Sequence, residues 1–523
     1  MTEKEVHWSE KTAEKLIKLF PKNRSFVCAG GITPSGTVHI GNFRDIITSD
    51  IISRILREKK FNGKLLFFWD DYDRLRKVPS NIPESFSEHI GMSISDIPDP
   101  YKCHKFYAEH FKKEFEEAIP ELGIKPKFIS QKDEYGKNKY LEEIKTALKK
   151  RKEIAKILSE FKTQKFSEEQ IENYYPLQVY CSKCKKDTTI ITDYDGNNSI
   201  AYSCRCGFSE EADLSKKNIG KLSWKVDWAA RWHHYGTCFE PGGKDHATVG
   251  GSYDVSSKIA KEVFGIKPPL FEGYEFVGIR GNSKMSSSSG TGISPKNLLE
   301  IYEPELLRWL FTRVNPKREI TFCFDSELIR QYDEFDREIE EYFSNKLSAS
   351  RKKAIMLSRI NREFSKKRVP FRQLVSFGQI SQGNITKLKE MFRKIGQEFD
   401  EKSLEKRLRN SENWVKNFAG QFEIKIRENP NKGYYNKLDD EEKEQIIALR
   451  ENIEKNFDIE SLTSLVYRIP KKENISEEET KKRQRIFFRN MYQMLIDSDT
   501  GPRLPTFLLV LGKEKVRRLL NLI

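Results

Sequence analysis

The chain has 523 residues and carries 93 Lys and Arg against 78 Asp and Glu, a formal net charge of +15. Apolar residues (37%) and charged residues (33%) are interleaved throughout, which excludes wholesale disorder and supplies core for roughly three domains. No apolar run approaches the ~20 residues of a membrane helix, and the start Met1-Thr2-Glu3-Lys4-Glu5 has no apolar signal region, so a cytoplasmic protein without a membrane partner is expected.

The first amphipathic face is Leu16, Ile17, Leu19 and Phe20, and Pro21 ends that helix. Ser25-Phe26-Val27-Cys28 reads as a short buried strand. Ala29-Gly30-Gly31-Ile32-Thr33-Pro34-Ser35-Gly36 reads as a glycine-rich turn, and His39-Ile40-Gly41-Asn42 opens a helix bearing Ile46, Ile47, Ile51, Ile52 and Ile55. Lys64 to Trp69 is a second buried strand, ended by Asp70-Asp71. Strand, turn, helix and strand make a βαβ unit and hence a parallel sheet. Residues 80–220 break this rhythm and read as an insertion. The α/β pattern resumes at Val226, with a helix from Tyr253 to Phe264 and a strand from Phe271 to Ile279. Beyond about residue 325 the chain is helical almost to its end.

Within the insertion, Cys181-Ser182-Lys183-Cys184 and Cys204-Arg205-Cys206 form two knuckles, and Asp195-Gly196 between them marks a hairpin turn. Four soft thiolates so spaced predict a zinc ribbon with a structural role. Asp99, Cys103, His104 and His110 are a second set of donors that zinc accepts; the alternative is a helix with two surface histidines. The charge is also unevenly placed. Residues 351–523 hold 38 basic and 25 acidic residues, a net of +13, which suits a polyanion. Two basic runs lie there, Ser365-Lys366-Lys367-Arg368 and Lys481-Lys482-Arg483-Gln484-Arg485.

A glycine-rich turn at a helix start attracts anions, and a histidine there can donate to a phosphate. Gly281-Asn282-Ser283-Lys284-Met285-Ser286-Ser287-Ser288-Ser289-Gly290 is a second loop suited to phosphate, with one ammonium. The pairing of His39-Ile40-Gly41-Asn42 with Lys284-Met285-Ser286-Ser287-Ser288 resembles the two signatures of class I aminoacyl-tRNA synthetases. Asn42 stands where the common first signature ends in histidine, which is the form of the class I lysyl enzymes. Ser287 stands where the second signature carries a second lysine. Asp70 to Pro79, Val226-Asp227-Trp228, Gly243-Lys244-Asp245-His246 and the C-terminal Gly501-Pro502-Arg503-Leu504-Pro505 resemble the same family.

The resemblance implies an α/β protein: a Rossmann-like parallel-sheet catalytic domain with a zinc-bearing insertion, followed by a mostly α-helical anticodon-binding domain. The expected divisions are 1–80 and 223–290 for the two catalytic halves, 81–222 for the insertion, 291–345 for a helical connection and 346–523 for the anticodon domain. The implied reaction activates lysine with ATP and Mg²⁺ and transfers it to tRNA(Lys), in a monomer. His39, Asn42 and Lys284 would be catalytic, with Gly36, Gly41, Asp245, Ser286 and Ser287 also on ATP. Gly31, Thr33, Asp227, Trp228, His246 and Tyr274 would form the lysine pocket, with Asp70 and Asp73 as alternative ammonium partners. The resembled family can carry zinc in its insertion, which favours the second donor set too. Rival readings are a glutamyl-type synthetase, a non-catalytic tRNA-binding paralogue and a nucleotidyltransferase that does not use tRNA.

Overall fold

A computed structural model describes residues 6–280, 292–360, 363–455 and 457–521. Its central feature is a five-stranded parallel sheet of order β10-β9-β1-β2-β3. The strands are β1 (Ser25–Ile32), β2 (Asn62–Trp69), β3 (Lys127–Ser130), β9 (Thr237–Gly243) and β10 (Leu270–Tyr274). Helix α1 (Trp8–Leu19) precedes β1, and α2 (Ile40–Glu58) crosses from β1 to β2. Buried Ile46, Ile47, Ile51, Ile52 and Ile55 give α2 its sheet-facing stripe, each contributing roughly 1.5–3 kcal/mol by leaving water. Ser49 Oγ donates to the Ala29 carbonyl at 2.6 Å, fixing the helix on the central strand.

The run Ala29 to Ile32, expected as a turn, continues strand β1. Glycine is poor in strands, but this one pairs with β2 as far as Ile32, and with β9 at Val27 and Cys28. The expected strand Phe271–Ile279 is two strands, β10 and β11 (Val277–Ile279), and β11 pairs instead with β12 (Ile320–Phe322). At the break the buried Arg44 guanidinium donates to the carbonyls of Glu275 (2.7 Å) and Pro316 (2.9 Å), and the Glu275 N–H also donates to Pro316.

Between β2 and β9 the chain forms α3 (Tyr107–Ala118) and then β3, which joins the main sheet. Next come an antiparallel pair, β4 (Leu177–Val179) with β8 (Gly220–Leu222), and a three-stranded ribbon of β5 (Thr189–Tyr194), β6 (Ser199–Cys204) and β7 (Ser209–Asp213). The helix Trp224–Tyr235 returns the chain to β9, ending on Gly236 at φ 62°, a left-handed position suited to glycine.

The chain divides into two compact units. The first comprises residues 1–299, 304–322 and 341–363; the second comprises 300–303, 323–340 and 364–523. In the first, fully buried Arg308 donates to Asp50 Oδ2 (2.8 Å) and to the carbonyls of Leu122 and Leu357. The second is built of helices, including Phe371–Ser381, Glu401–Phe418, Asp440–Asn452, Glu477–Ile496 and Leu504–Leu511. Its core holds a charge cluster. Arg407 and Arg368 both donate to Glu303 Oε2, at 2.8 and 2.7 Å, and both reach Asp336. Arg368, the last residue of the first basic run, is therefore turned inward. In the second run, Arg483 pairs with Glu441 and Lys481 with Glu477. Both runs are partly neutralised from within. Among the described residues no helix is long and apolar enough to cross a membrane.

Candidate functional site

The carboxyl ends of β1, β2, β9 and β10 lie side by side, pairing Ile32 with Trp69 and Gly243 with Tyr274. In open parallel sheets this edge is where ligands bind. Gly31, Thr33, Gly36, Asp245, His246 and Tyr274 fall on this edge or in the loops that leave it, His39, Gly41 and Asn42 at the start of α2, and Asp227 and Trp228 on the helix Trp224–Tyr235.

His39 caps α2. Its Nδ1 accepts from the Gly41 N–H (3.1 Å), and its own N–H donates to Asn42 Oδ1 (3.1 Å). An accepting Nδ1 leaves the ring proton on Nε2, free to donate. Burial pushes the imidazole pKa down to about 4, so it is neutral near pH 7. Gly41 has a steric reason: a Cβ there would lie 2.8 Å from His39 Cε1. Lys284, Ser286 and Ser287 lie outside the described residues. The chain just after them does not. Ile40 N–H donates to the Ile293 carbonyl (2.8 Å), and a Cβ on Gly292 would lie 2.7 Å from that of His39. The described chain thus resumes, at Gly292 and Ile293, packed on the first signature. Gly36 is buried in the loop before α2, and Tyr107 from α3 donates to the neighbouring Ser35 carbonyl. Asp245 is exposed just past β9.

The expected lysine residues form two groups. In one, Thr33 Oγ1 donates to Asp73 Oδ2 (3.0 Å), and buried Lys221 from β8 donates to Asp73 Oδ1 (2.6 Å). Asp227, fully buried, accepts from the Tyr135 hydroxyl and lies 3.9 Å from Lys221 and 3.5 Å from Arg231. Arg231 donates to Asp70 Oδ1 at 2.9 Å. Burial opposes the charge on Asp73, yet Lys221 and Thr33 hold its carboxyl below the usual range. Two internal cations, Lys221 and Arg231, thus share three carboxylates, and burial raises the pKa of Asp70 to about 7.

In the other group, Trp228 stacks on Trp224 (centroids 5.0 Å, 18°) and meets His246 edge to face at 5.8 Å. Tyr274 donates to Asp45 Oδ2 (3.2 Å). Asp45 Oδ1 is out of solvent with no hydrogen-bond partner, and a Cβ on Gly30 would lie 3.2 Å from it. Burial raises the Asp45 carboxyl well above its ordinary range, and nearby Glu240 pushes the same way. Gly31 has no room for a side chain, since its Cβ would lie 3.0 Å from the Phe68 carbonyl oxygen. Sequence reasoning missed Asp45, Glu240, Lys221 and Arg231. Asp45 carried a signal: it falls three and four residues after Asn42 and Gly41, on the same helical face.

The four cysteine sulfurs converge. Cys181 and Cys206 are 3.7 Å apart and Cys184 and Cys204 3.6 Å, with all four within 4.8 Å of one another. Tetrahedral thiolates at ~2.3 Å from zinc have edges of about 3.8 Å, so the set fits that ion. The second set also converges: Cys103 Sγ lies 3.2 Å from Asp99 Oδ2 and from His104 Nδ1, and 3.0 Å from His110 Nδ1.

A family model described as tRNA synthetases class I (K) matches residues 6–361. The protein named "Lysine--tRNA ligase" in Borreliella burgdorferi is 34% identical over 530 residues, covering 99% of each chain. Its namesake in Pyrococcus furiosus is 35% identical over 539 residues, again 99% of each. A third, from Methanosarcina barkeri, is 38% identical over 429 residues, 81% of this chain and 78% of that one.

Proposed function

The chain belongs to the class I (K) family of tRNA synthetases, and from that premise we propose that it activates lysine with ATP and transfers it to the 3′ end of tRNA(Lys). The lysine carboxylate attacks the α-phosphorus of ATP, giving lysyl-adenylate and pyrophosphate. A ribose hydroxyl of the terminal adenosine then takes the lysyl group and AMP leaves. Such chemistry rests on positioning and on stabilising phosphate charge.

His39, as a neutral Nε2–H donor at a helix start, binds a phosphate oxygen of ATP, and the α2 dipole favours that charge. Asn42 holds His39 in place through the cap. Lys284 supplies the ammonium that meets the pentavalent α-phosphorus, and Ser286 and Ser287 add donors. Mg²⁺ shares the triphosphate charge. Gly36 and Gly41 give the nucleotide close access, and Asp245 takes its ribose. For the amino acid, Gly31 and Thr33 border the backbone end, and Trp228, His246 and Tyr274 wall the side chain. Asp45 receives the ammonium; Asp227 serves with Lys221 and Arg231 as an internal scaffold. Zinc in Cys181, Cys184, Cys204 and Cys206 is structural, with no open position. A second zinc is held by Asp99, Cys103, His104 and His110. The helical unit takes the anticodon arm.

The observation that carries the reading is the packing of Gly292 and Ile293 on His39 and Ile40, because it sets the chain that resumes at Gly292 against the first signature. Pyrophosphate exchange into ATP, run with and without tRNA(Lys), tests it. Exchange that depends on lysine is expected. Exchange that depends on glutamate, or none in either condition, overturns it.

A further inference from the structure

Three consecutive residues of the loop after β2 are each held by a different residue of the cysteine-bearing insertion. The Tyr180 hydroxyl donates to the Tyr72 carbonyl at 2.7 Å. Lys221, only 2% exposed, donates to Asp73 Oδ1 at 2.6 Å. Asp187 pairs with the guanidinium of Arg74. Tyr180 and Asp187 bracket the first cysteine knuckle, Cys181 to Cys184, and Lys221 lies on β8, which pairs with β4 just before that knuckle. The ties continue inside the insertion. Tyr180 N–H donates to the Ile219 carbonyl (2.8 Å), next to β8, and Thr189 Oγ1 from β5 donates to the Val179 carbonyl (2.6 Å). One folded ribbon thus sets where Tyr72, Asp73 and Arg74 stand.

The middle residue of the three reaches the candidate site. Asp73 Oδ2 accepts from Thr33 Oγ1 at 3.0 Å. The two carboxylate oxygens therefore have separate tasks: Oδ1 is anchored by the insertion, and Oδ2 orients a hydroxyl at the carboxyl end of β1. A hydroxyl has one proton and two lone pairs. With its proton given to Asp73, Thr33 offers only acceptor capacity to an incoming group, which suits an ammonium and disfavours a carboxylate. If the loop were loosened, the hydroxyl would turn freely and its proton would compete with the N–H donors it should receive. Small displacements of such a group are felt at a distance, because binding and catalysis rest on orientation.

We infer that Asp73 is a positioning residue of the amino-acid site, held by Tyr180, Asp187 and Lys221 of the insertion so that the Thr33 hydroxyl accepts from the α-ammonium of lysine. Thr33 stands at the backbone end of the amino acid in the lysyl reading above, on which this inference rests. Its test uses the full chain and the variant Tyr180→Phe/Asp187→Asn, whose two positions make no contact with substrate in that reading. Pyrophosphate exchange with tRNA(Lys) present gives KM and kcat, and titration calorimetry gives the Kd for lysine. In the wild-type background the variant should raise the KM and Kd for lysine roughly five- to thirtyfold, a usual range for coupling between two sites. Its kcat and its KM for ATP should stay within about twofold, the pattern of lost amino-acid binding. Thr33→Ser keeps the hydroxyl and should show the same rise when the insertion changes are added. Thr33→Val removes it and should raise the KM for lysine by itself, after which the insertion changes should add less than about twofold. If the double change melts early, Tyr180→Phe alone gives the same comparison. A lysine KM within about twofold of wild type in a stably folded variant, or an equal rise in the Thr33→Val background, overturns the proposal. If that happens while the wild-type chain shows lysine-dependent exchange, this inference alone fails. If the wild-type chain shows none, the lysyl reading fails and this inference with it.

Discussion

The ammonium of Lys221 lies 2.6 Å from Asp73 Oδ1, and it reaches that carboxylate from β8, a strand paired with the cysteine-bearing insertion's β4. Burial alone would lower the pKa of this lysine, yet Asp73, Asp227 and Asp70 raise it, so it stays charged inside the protein. Removing one partner of a buried pair leaves the other uncompensated, at a cost of ~3–5 kcal/mol. Lys221→Met should therefore lower the urea midpoint sharply. Lys221→Met/Asp73→Asn should recover part of the loss. No recovery in the double variant would show that the two charges do not compensate one another.

Asp45 is a carboxylate whose buried Oδ1 has no hydrogen-bond partner. In Asp45→Asn the KM for lysine should rise roughly 30- to 150-fold, from the ~2–3 kcal/mol of a charge-assisted contact, while the KM for ATP moves little. Burial shifts the free carboxyl towards its neutral form, and an arriving ammonium favours the charged form. Lysine binding should therefore release protons. Titration calorimetry in buffers of different ionisation enthalpy should show this for wild type and lose it in Asp45→Asn. A binding enthalpy independent of buffer in the wild-type chain contradicts the assignment.

His39 and His7 are both held at about 4 by burial, below the ordinary histidine value of 6.5. Between those values the unfolded chain binds more protons than the folded one, so stability rises with pH across that window and falls as pH drops from 6.5 towards 4. Each should contribute a loss of ~1–2 kcal/mol between pH 7 and pH 5. Urea midpoints at the two pH values should differ less in His39→Gln than in wild type. An unchanged difference would mean that His39 titrates normally in the fold.

In the cysteine ribbon β5 is half exposed and β7 is polar, while β6 buries Ile200 and Tyr202. Metal analysis of the purified chain should find two zinc ions, falling to one in Cys184→Ser and to one in His110→Ala. Chelation should loosen β5 to β7 in hydrogen exchange, because a structural zinc contributes folding energy directly. Full zinc content in Cys184→Ser would remove that residue from the ligand set.

Much of this was legible in the sequence, for physical reasons. The βαβ start and the two cysteine knuckles are short-range patterns, and Asp195-Gly196 marked the hairpin between β5 and β6. What escaped depends on distant partners. Gly30 and Gly31 read as a turn because their place between two strands cannot be seen locally. The break in the strand from Phe271 lies where Arg44, some 230 residues earlier, and the loop at Pro316 meet the chain. Strand β7, Ser209–Asp213, has no apolar alternation to reveal it. Asp70, Asp73 and Asp227 looked equally available for an ammonium because nothing local shows that Lys221 and Arg231 are buried among them.

The most direct measurement is charging of total tRNA by the purified chain with lysine and glutamate in competition, each labelled differently. The account predicts lysine alone on the tRNA, with the product lost in His39→Ala. Glutamate on the tRNA, or lysine charging untouched in His39→Ala, contradicts it.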